Sequence, residues 1–402
     1  MKHRTDSHSN QRTETADVVV VGARCAGAAT AMLLAQAGHD VVVVDRAAFP
    51  SDTLSTHAIA RGGVVQLHRW GLLEAVIQSG APEIRTVEFH RPGSGGEVTV
   101  RTVKDRHGVD ALVAPRRHIL DPLLQEAAVR AGARLRTGVT VSGVMRNNER
   151  VIGVVGHDAD GPVRIEARFV VGADGLKSRV ARSVGARVIE RGPSTGATHY
   201  RYYAGNWRAM EYHLGQESFA GVFPTHHGEA CIWVCAPDAW TLERRRRHAT
   251  ANDAFEAMVM DTSPALAERL SDAVGTSATR GMMSIPNHIV EPTGPGWALA
   301  GDAGYHRDAI TGHGISDAFR DAELLSTALD QALRVPGSEA SALLGFHRER
   351  DRLLREIFDI TCEMSDRPTP TRFIELQKEL GPAIDRHAGE LARRPLHAAS
   401  TA

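Results

Sequence analysis

Residues 17–46 read DVVVVGARCAGAATAMLLAQAGHDVVVVDR, and this stretch decides the fold. It opens on a run of valines whose β-branched side chains suit a strand buried on both faces of a parallel sheet. A turn bounded by Gly22 and Gly27 follows at once. Residues 27–37 are small and aliphatic, with good helix formers throughout, and Gly38 stands where a helix C-cap belongs. A second valine run over 39–44 ends at Asp45, which completes one βαβ unit of about 30 residues. A turn of this kind presents backbone N–H groups and the positive end of a helix dipole to a pyrophosphate, while the acid ending the next strand accepts from ribose hydroxyls. Gly22, Ala23, Arg24, Cys25, Ala26, Gly27, Asp45 and Arg46 are therefore candidate residues for holding a dinucleotide. The pattern departs from G-x-G-x-x-G at one place, because Arg24 takes the position of the middle glycine.

Around that unit lies a chain of 402 residues, long enough for one large composite domain or two intimate ones. Its 47 basic and 48 acidic side chains nearly cancel, so no global field recruits nucleic acid or an anionic membrane. The basic run Arg244 to Arg247 reads as a solvated helix face. Residues 1–16 are polar, without the apolar core of a signal peptide, and read as a disordered leader. No window reaches the roughly 18 apolar residues of a spanning helix, so a soluble, cytoplasmic protein without integral membrane contact is expected. Cys25, Cys231, Cys235 and Cys362 form no CxxC pair and no metal-ligand spacing, which suits a reducing compartment and predicts no metal.

Further along, residues 83–113 alternate like strands and are broken by the turn formers at 92–96. Asp121 and Pro122 read as the N-cap and first residue of a helix that Gly132 ends. Residues 139–171 read as a three-stranded meander turning at Asn147-Asn148 and Asp160-Gly161, with a buried strand at 169–173 running into Asp174-Gly175. Half of the aromatic residues fall within 187–283, a quarter of the chain, which predicts a second, sheet-containing substrate domain. A last short strand at 297–300 leads to Gly301-Asp302, and apolar residues from Ile315 to Ala332 then recur at helical spacing. Residues 340–393 are mostly helical, with a break at 367–370.

Asp174-Gly175, with Arg179 five residues on, and Gly301-Asp302, ahead of Gly304, Gly312 and Gly314, each follow a separate buried strand. In the order of these motifs, over roughly residues 17 to 335, the chain resembles the group A flavin monooxygenases, the p-hydroxybenzoate hydroxylase-like family. The resemblance implies an α/β (α+β) fold. A discontinuous Rossmann-type FAD-binding domain of the glutathione-reductase class (17–82, 112–186 and 284–335) would carry an inserted β-sheet substrate domain (83–111 and 187–283). A helical segment (336–393) and a frayed tail (394–402) would follow. It implies that Asp302 hydrogen-bonds the ribityl chain and that the loop Gly312, His313, Gly314 and Ile315 runs beside the flavin pyrimidine. Asp174, Gly175 and Arg179 would serve the FAD pyrophosphate and a visiting NADPH or NADH, and Arg117, or its neighbour Arg116, the phosphate and ribityl region. A helix beginning near Gly312 would aim free N–H groups at the edge of the flavin that becomes negative on reduction. Where relatives often carry proline, the loop reads Asp308-Ala309-Ile310-Thr311.

His57 and His313 are the candidate catalytic residues, since they fall in segments that should face the flavin, as does His306. The resemblance implies a monooxygenase. NAD(P)H reduces the flavin, and dioxygen then gives a flavin hydroperoxide that hydroxylates or epoxidises a small aromatic or polyene molecule of secondary-metabolite type. The expected partners are that apolar substrate and dioxygen, and the protein a monomer or homodimer. Flavin-dependent halogenases are a rival, but their Trp-x-Trp-x-Ile-Pro signature is missing. Geranylgeranyl reductase-like enzymes, acting on carbon–carbon double bonds, are closer: residues Phe219 to Pro224 resemble their aromatic-x-Trp-x-Phe-Pro segment, with Gly221 in place of tryptophan. A non-enzymatic flavoprotein is the remaining alternative.

Overall fold

The computed structural model describes residues 13–55, 57–91, 98–366 and 369–395. The valine runs do what their uniform character predicts. The strands Thr13–Val21 and Val41–Asp45 pair in parallel, Val18 to Val21 against Val41 to Val44. Val18, Val20, Val41 and Val43 face a helical layer, and Val19, Val21, Val42 and Val44 face the opposite layer. Because both faces are covered, no polar alternation survives in the sequence.

The sheet continues in parallel through Gly161–Gly172, beside Thr13–Val21, to Trp297–Leu299, and on the other side to Arg134–Thr137. On one face pack the helices Cys25–Gln36, Arg117–Arg130 and Gly314–Arg334. On the other lies the hairpin Thr140–Asn147 and Arg150–Asp158, which completes a meander by pairing with the first part of Gly161–Gly172, turning where the sequence predicts. The strand expected at 169–173 is the end of Gly161–Gly172. Strand structure already begins at Thr13, so the leader expected over 1–16 is too long by residues 13–16. Residues 1–12, the turn at 92–96, most of the tail and part of the break at 367–370 lie outside the described residues.

A second sheet is mainly antiparallel, ordered Val274–Gly275, Ala197–Ala204, Glu229–Ala236, Phe219–Pro224, Met210–Leu214, Thr86–His90 and Val98–Thr102. The single parallel step in it, between Thr86–His90 and Met210–Leu214, joins the early inserted strands to the later ones. Val188–Gly192 pairs outside this sheet, with Asn287–Val290. The helices Glu339–Ser365 and Pro370–Arg393 put Ile357, Met364, Leu376 and Leu380 into one core with Tyr200, Phe219 and Trp233. The C-terminal helices thus cover the second sheet, and the first of them also packs on Gly314–Arg334. Among the described residues, no helix is long and apolar enough to cross a membrane.

Candidate cofactor and substrate cleft

The strand ends carrying the glycine motifs open into one cleft of about 870 Å³, within the range of small-molecule and cofactor sites. Of the predicted residues, Gly22, Arg24, Cys25, Ala26, Asp45, Arg46, His57, Arg117, Asp174, Gly175 and Arg179 line it, as do Gly301, Asp302, Gly312, His313, Gly314 and Ile315. Ala23 and Gly27 lie behind its wall. A Cβ on Gly27 would come within 1.7 Å of the Gly22 carbonyl oxygen, and one on Gly22, at φ +105°, within 2.3 Å of that of Ala173. These two glycines therefore set the approach of helix to strand.

Asp45 ties the loop down. Its Oδ2 accepts from Ala23 N–H at 2.8 Å and its Oδ1 from Ala47 N–H at 2.8 Å, and each oxygen keeps a further lone pair for a ribose hydroxyl. The helix Cys25–Gln36 has no side-chain cap and no acid in its first turn, which leaves its first N–H groups for an anion. Arg24 leaves this cradle open. Its backbone is extended at φ −94°, a conformation that does not need glycine. Its guanidinium turns away to Asp121 at 2.6 Å and to Ser51. Asp121 is consequently no N-cap. The helix begins a turn earlier, at Arg117, and the fully buried Asp121 carboxylate accepts from Arg24, Arg117 and the Cys25 thiol. Burial pushes that thiol up to about 12, so Cys25 is a packing residue. Of the two candidate arginines, Arg117 lines the cleft. Arg116 points elsewhere, pairing with Asp52 and Glu229 at 2.8 Å each and stacking 3.6 Å over the Tyr202 ring.

Asp174 is occupied by its own turn, accepting from Ser178 Oγ at 2.5 Å and Arg179 N–H at 2.6 Å. The side chains of Arg46, Lys177, Arg179 and Arg182 stand exposed at the mouth. None of the four makes an ion pair with an acid among the described residues.

At the other end, Gly301 N–H is anchored on Asp321 Oδ2 at 3.1 Å, while Asp302 is exposed and accepts no hydrogen bond among the described residues. Gly312, at φ +66°, turns the chain into the helix Gly314–Arg334, whose N-cap His313 gives no side-chain cap. His313 donates from Nδ1 to the Thr311 carbonyl at 2.5 Å. Its Nε2 is buried without a partner, and burial first, then Arg307, brings its pKa down to about 3. Arg307 holds Asp317 through Nε at 2.8 Å and Nη2 at 2.7 Å, leaving Nη1 buried and unpaired. His57 has a left-handed backbone at φ +67°, and its Nε2 meets the Tyr202 hydroxyl. Its Nδ1 is unpaired, and burial drives its pKa well below the usual histidine range. Left-handed backbone on a buried non-glycine residue is costly and concentrates at functional sites.

His57 Nδ1, Arg307 Nη1 and His313 Nε2 are joined by Tyr305 Oη as buried atoms of cleft residues without a hydrogen-bond partner. Such atoms are rare in folded proteins, and their gathering in one cleft marks places for ligand atoms. With an open helix N-terminus at each end and an unpaired acid at Asp302, the residues present fit FAD. Arg307, Asp317 and Asp52 escaped the sequence reading, and Tyr202 entered it only among the aromatic residues of 187–283. The one signal for them was a charged pair, Arg307 and Asp317, flanking the glycines of the loop.

The second sheet contributes Thr198 and Tyr200 and, from the short strand Arg280–Met282 paired with Ala197–Ala204, Gly281 and Met282 to the cleft wall, and Ile285 follows just beyond that strand. Trp233 lies in the core. Gly221 faces it across the ladder, and a Cβ on Gly221 would come within 2.3 Å of the indole ring. The space at 221 is therefore filled from 233.

The FAD binding domain pattern matches residues 15–361, and the chain belongs to that family, the p-hydroxybenzoate hydroxylase-like flavoproteins. It is an FAD-dependent oxidoreductase. Digeranylgeranylglycerophospholipid reductase 2 of Methanopyrus kandleri is 26% identical over 346 residues, covering 81% of this chain and 80% of that one. Menaquinone reductase of Mycolicibacterium smegmatis is 30% identical over 314 residues, covering 75% and 73%. Among solved structures, a flavin-dependent brominase superposes with TM-score 0.79 at 18% identity over 96% of both chains. A probable FAD-dependent monooxygenase from Pseudomonas aeruginosa gives 0.76 at 23% identity over 91% of this chain and 100% of that one. These two likenesses concern the fold.

Proposed function

We propose that the chain is an NAD(P)H-dependent monooxygenase that hydroxylates or epoxidises a small aromatic or polyene molecule. The observation that carries this reading is the state of the side chains at the reactive end. His57 and His313 are both held neutral by burial, and the Tyr200 hydroxyl is pushed up to about 12. None of these three groups is poised as an acid near neutral pH. FAD, when bound, would supply the redox chemistry with dioxygen. The chain's own residues bind, orient and keep water out. In this reading Gly22 to Gly27 and Arg117 hold the phosphates, while Asp45 and Arg46 hold the adenosine end. Asp302 takes the ribityl chain, and the helix beginning at Gly314 faces the pyrimidine. Arg179 and its exposed basic neighbours receive the phosphates of the nicotinamide nucleotide. The substrate lies against Tyr200, Met282 and Ile285, with His57 positioning it.

The two sequence relatives favour a second reading, a reductase of carbon–carbon double bonds, since both are named as reductases and match along three-quarters or more of this chain. One experiment separates the two. Purified protein is given NADPH and a panel of aromatic and polyene molecules while oxygen is recorded. Substrate-dependent oxygen uptake with a product one oxygen heavier is the expected result. Anaerobic NADPH oxidation, with a product two hydrogens heavier, would replace the monooxygenase by the reductase. Protein without a flavin spectrum would sink both.

A further inference from the structure

We infer that the side chains of His313 and Arg307 read the imide edge of the flavin, His313 Nε2 accepting from the ring N3–H and Arg307 Nη1 donating to a carbonyl oxygen beside it. The inference rests on the reading that seats the flavin pyrimidine against the loop before Gly314–Arg334.

The argument is one of complementarity. The pyrimidine presents a single N–H between two carbonyls, so it needs a site that alternates donor, acceptor, donor. Donors are plentiful here. The first turn of a 21-residue helix brings N–H groups without side-chain caps, and Arg307 brings a buried guanidinium nitrogen with no partner. An acceptor is scarce, because Asp317 is taken by Arg307 and Arg320, and Asp321 by Arg320 and Gly301 N–H.

His313 fills that gap. The Thr311 carbonyl can only accept, so the bond at 2.5 Å puts the ring proton on Nδ1 and leaves Nε2 as a lone pair. The residue is 5% exposed and lines the cleft, and that lone pair has no partner among the described residues. Protonation does not remove it, because Arg307 stands beside the ring and burial disfavours the imidazolium. Arg307 is equally fixed. Asp317 holds its Nε and Nη2, which directs the remaining nitrogen and gives Nη1 no other partner. A neutral acceptor beside a fixed cation matches an N–H beside a carbonyl that gains negative charge on reduction.

The test uses full-length protein freed of flavin and titrated with FAD or with 3-methyl-FAD, which lacks the N3–H, following flavin fluorescence. Wild-type protein should bind the methylated flavin at least about tenfold more weakly, the size of a buried unmet hydrogen bond. His313→Ala should bind FAD more weakly and reduce the discrimination to about twofold. His313→Gln, whose amide oxygen can accept, should restore binding of FAD. If His313→Ala discriminates as strongly as wild type, N3 faces another acceptor and the inference falls. Equal binding of both flavins by wild type overturns it as well, while the cofactor reading stands. Protein that binds neither flavin overturns both. For Arg307 the readout is the midpoint potential, which Arg307→Met should lower. An unchanged potential would remove Arg307 from the site.

Discussion

Two buried polar groups of this chain are built on opposite plans. On the second sheet, Glu211 is held by both guanidinium nitrogens of Arg269, at 2.6 and 2.9 Å, and by His213 Nε2 at 3.1 Å. Ser263 closes the other side of His213 at 3.0 Å. His90 stacks on His213 with centroids 4.0 Å apart and planes 11° apart, and its own Nε2 lies 3.7 Å from Glu211 without a hydrogen bond. The bonds among Glu211, Arg269, His213 and Ser263 close on one another. At the loop before Gly314–Arg334, by contrast, Arg307 and His313, both lining the cleft, each spend part of their bonding capacity on the protein and keep one buried nitrogen without a partner. A closed group contributes to the stability of the fold, whereas an open one is completed by a ligand. The contrast separates structural from functional polarity at equal burial.

Removing one partner should therefore cost the closed group more. Glu211→Gln leaves Arg269 and His213 facing an amide, and should lower unfolding free energy by about 3 kcal/mol in urea titrations with no change in flavin content. A variant that kept its stability but lost flavin would reverse the comparison. Asp302→Ala tests the open end. Asp302 is exposed and unpaired among the described residues, so flavin-free stability should stay within about 0.5 kcal/mol. FAD affinity should fall about tenfold or more, as for a lost bond to a charged group. Full flavin occupancy in that variant would remove Asp302 from the ribityl site. Arg307→Met should cost less stability than Glu211→Gln. Asp317 keeps Arg320 at 2.8 Å, so flavin-free protein should lose about 1 kcal/mol. A loss equal to that of Glu211→Gln would make Arg307 a structural residue.

The parts of this plan that the sequence disclosed are those with periodicity or local geometry. Valine runs covered on two faces, glycines 22 and 27, and the meander turns all follow from residues near one another in the chain. What stayed hidden depends on contacts across it. Asp121 looks like an N-cap beside Pro122, but Arg24, 97 residues away, makes it the centre of a buried ion pair. Arg24 itself looks like a damaged fingerprint until its side chain is seen to leave the loop. Gly221 looks like a lost tryptophan, yet the strand opposite brings Trp233 into the same space. His57 and Tyr202 lie 145 residues apart, and no spacing rule joins them.

Acid separates the two groups more finely. The Glu211 carboxyl is lowered from 4.5 to about 2 despite its burial, because His213 and Arg269 favour the charged form. Its stabilisation is complete above pH 4.5 and disappears as pH falls toward 2. His313 is lowered from 6.5 to about 3, so the unfolded chain takes up its proton first. Stability that is full above pH 6.5 declines as pH falls toward 3. Between pH 6.5 and 4.5 the loss comes from the histidines, while Asp308 and Asp321, whose carboxyls burial raises, act in the opposite sense. His57, His199, His213, His226, His288 and His387 are lowered too, and His313 carries one share of the loss. In flavin-free protein, His313→Gln should recover about 1 kcal/mol of the stability lost between pH 7 and 5 and leave the step below pH 4.5 in place. Glu211→Gln should flatten the lower step and leave the upper one. Urea midpoints at pH 7, 5.5 and 4 read both, and a His313→Gln profile parallel to wild type would show that His313 is not the neutral, buried acceptor that an open site requires.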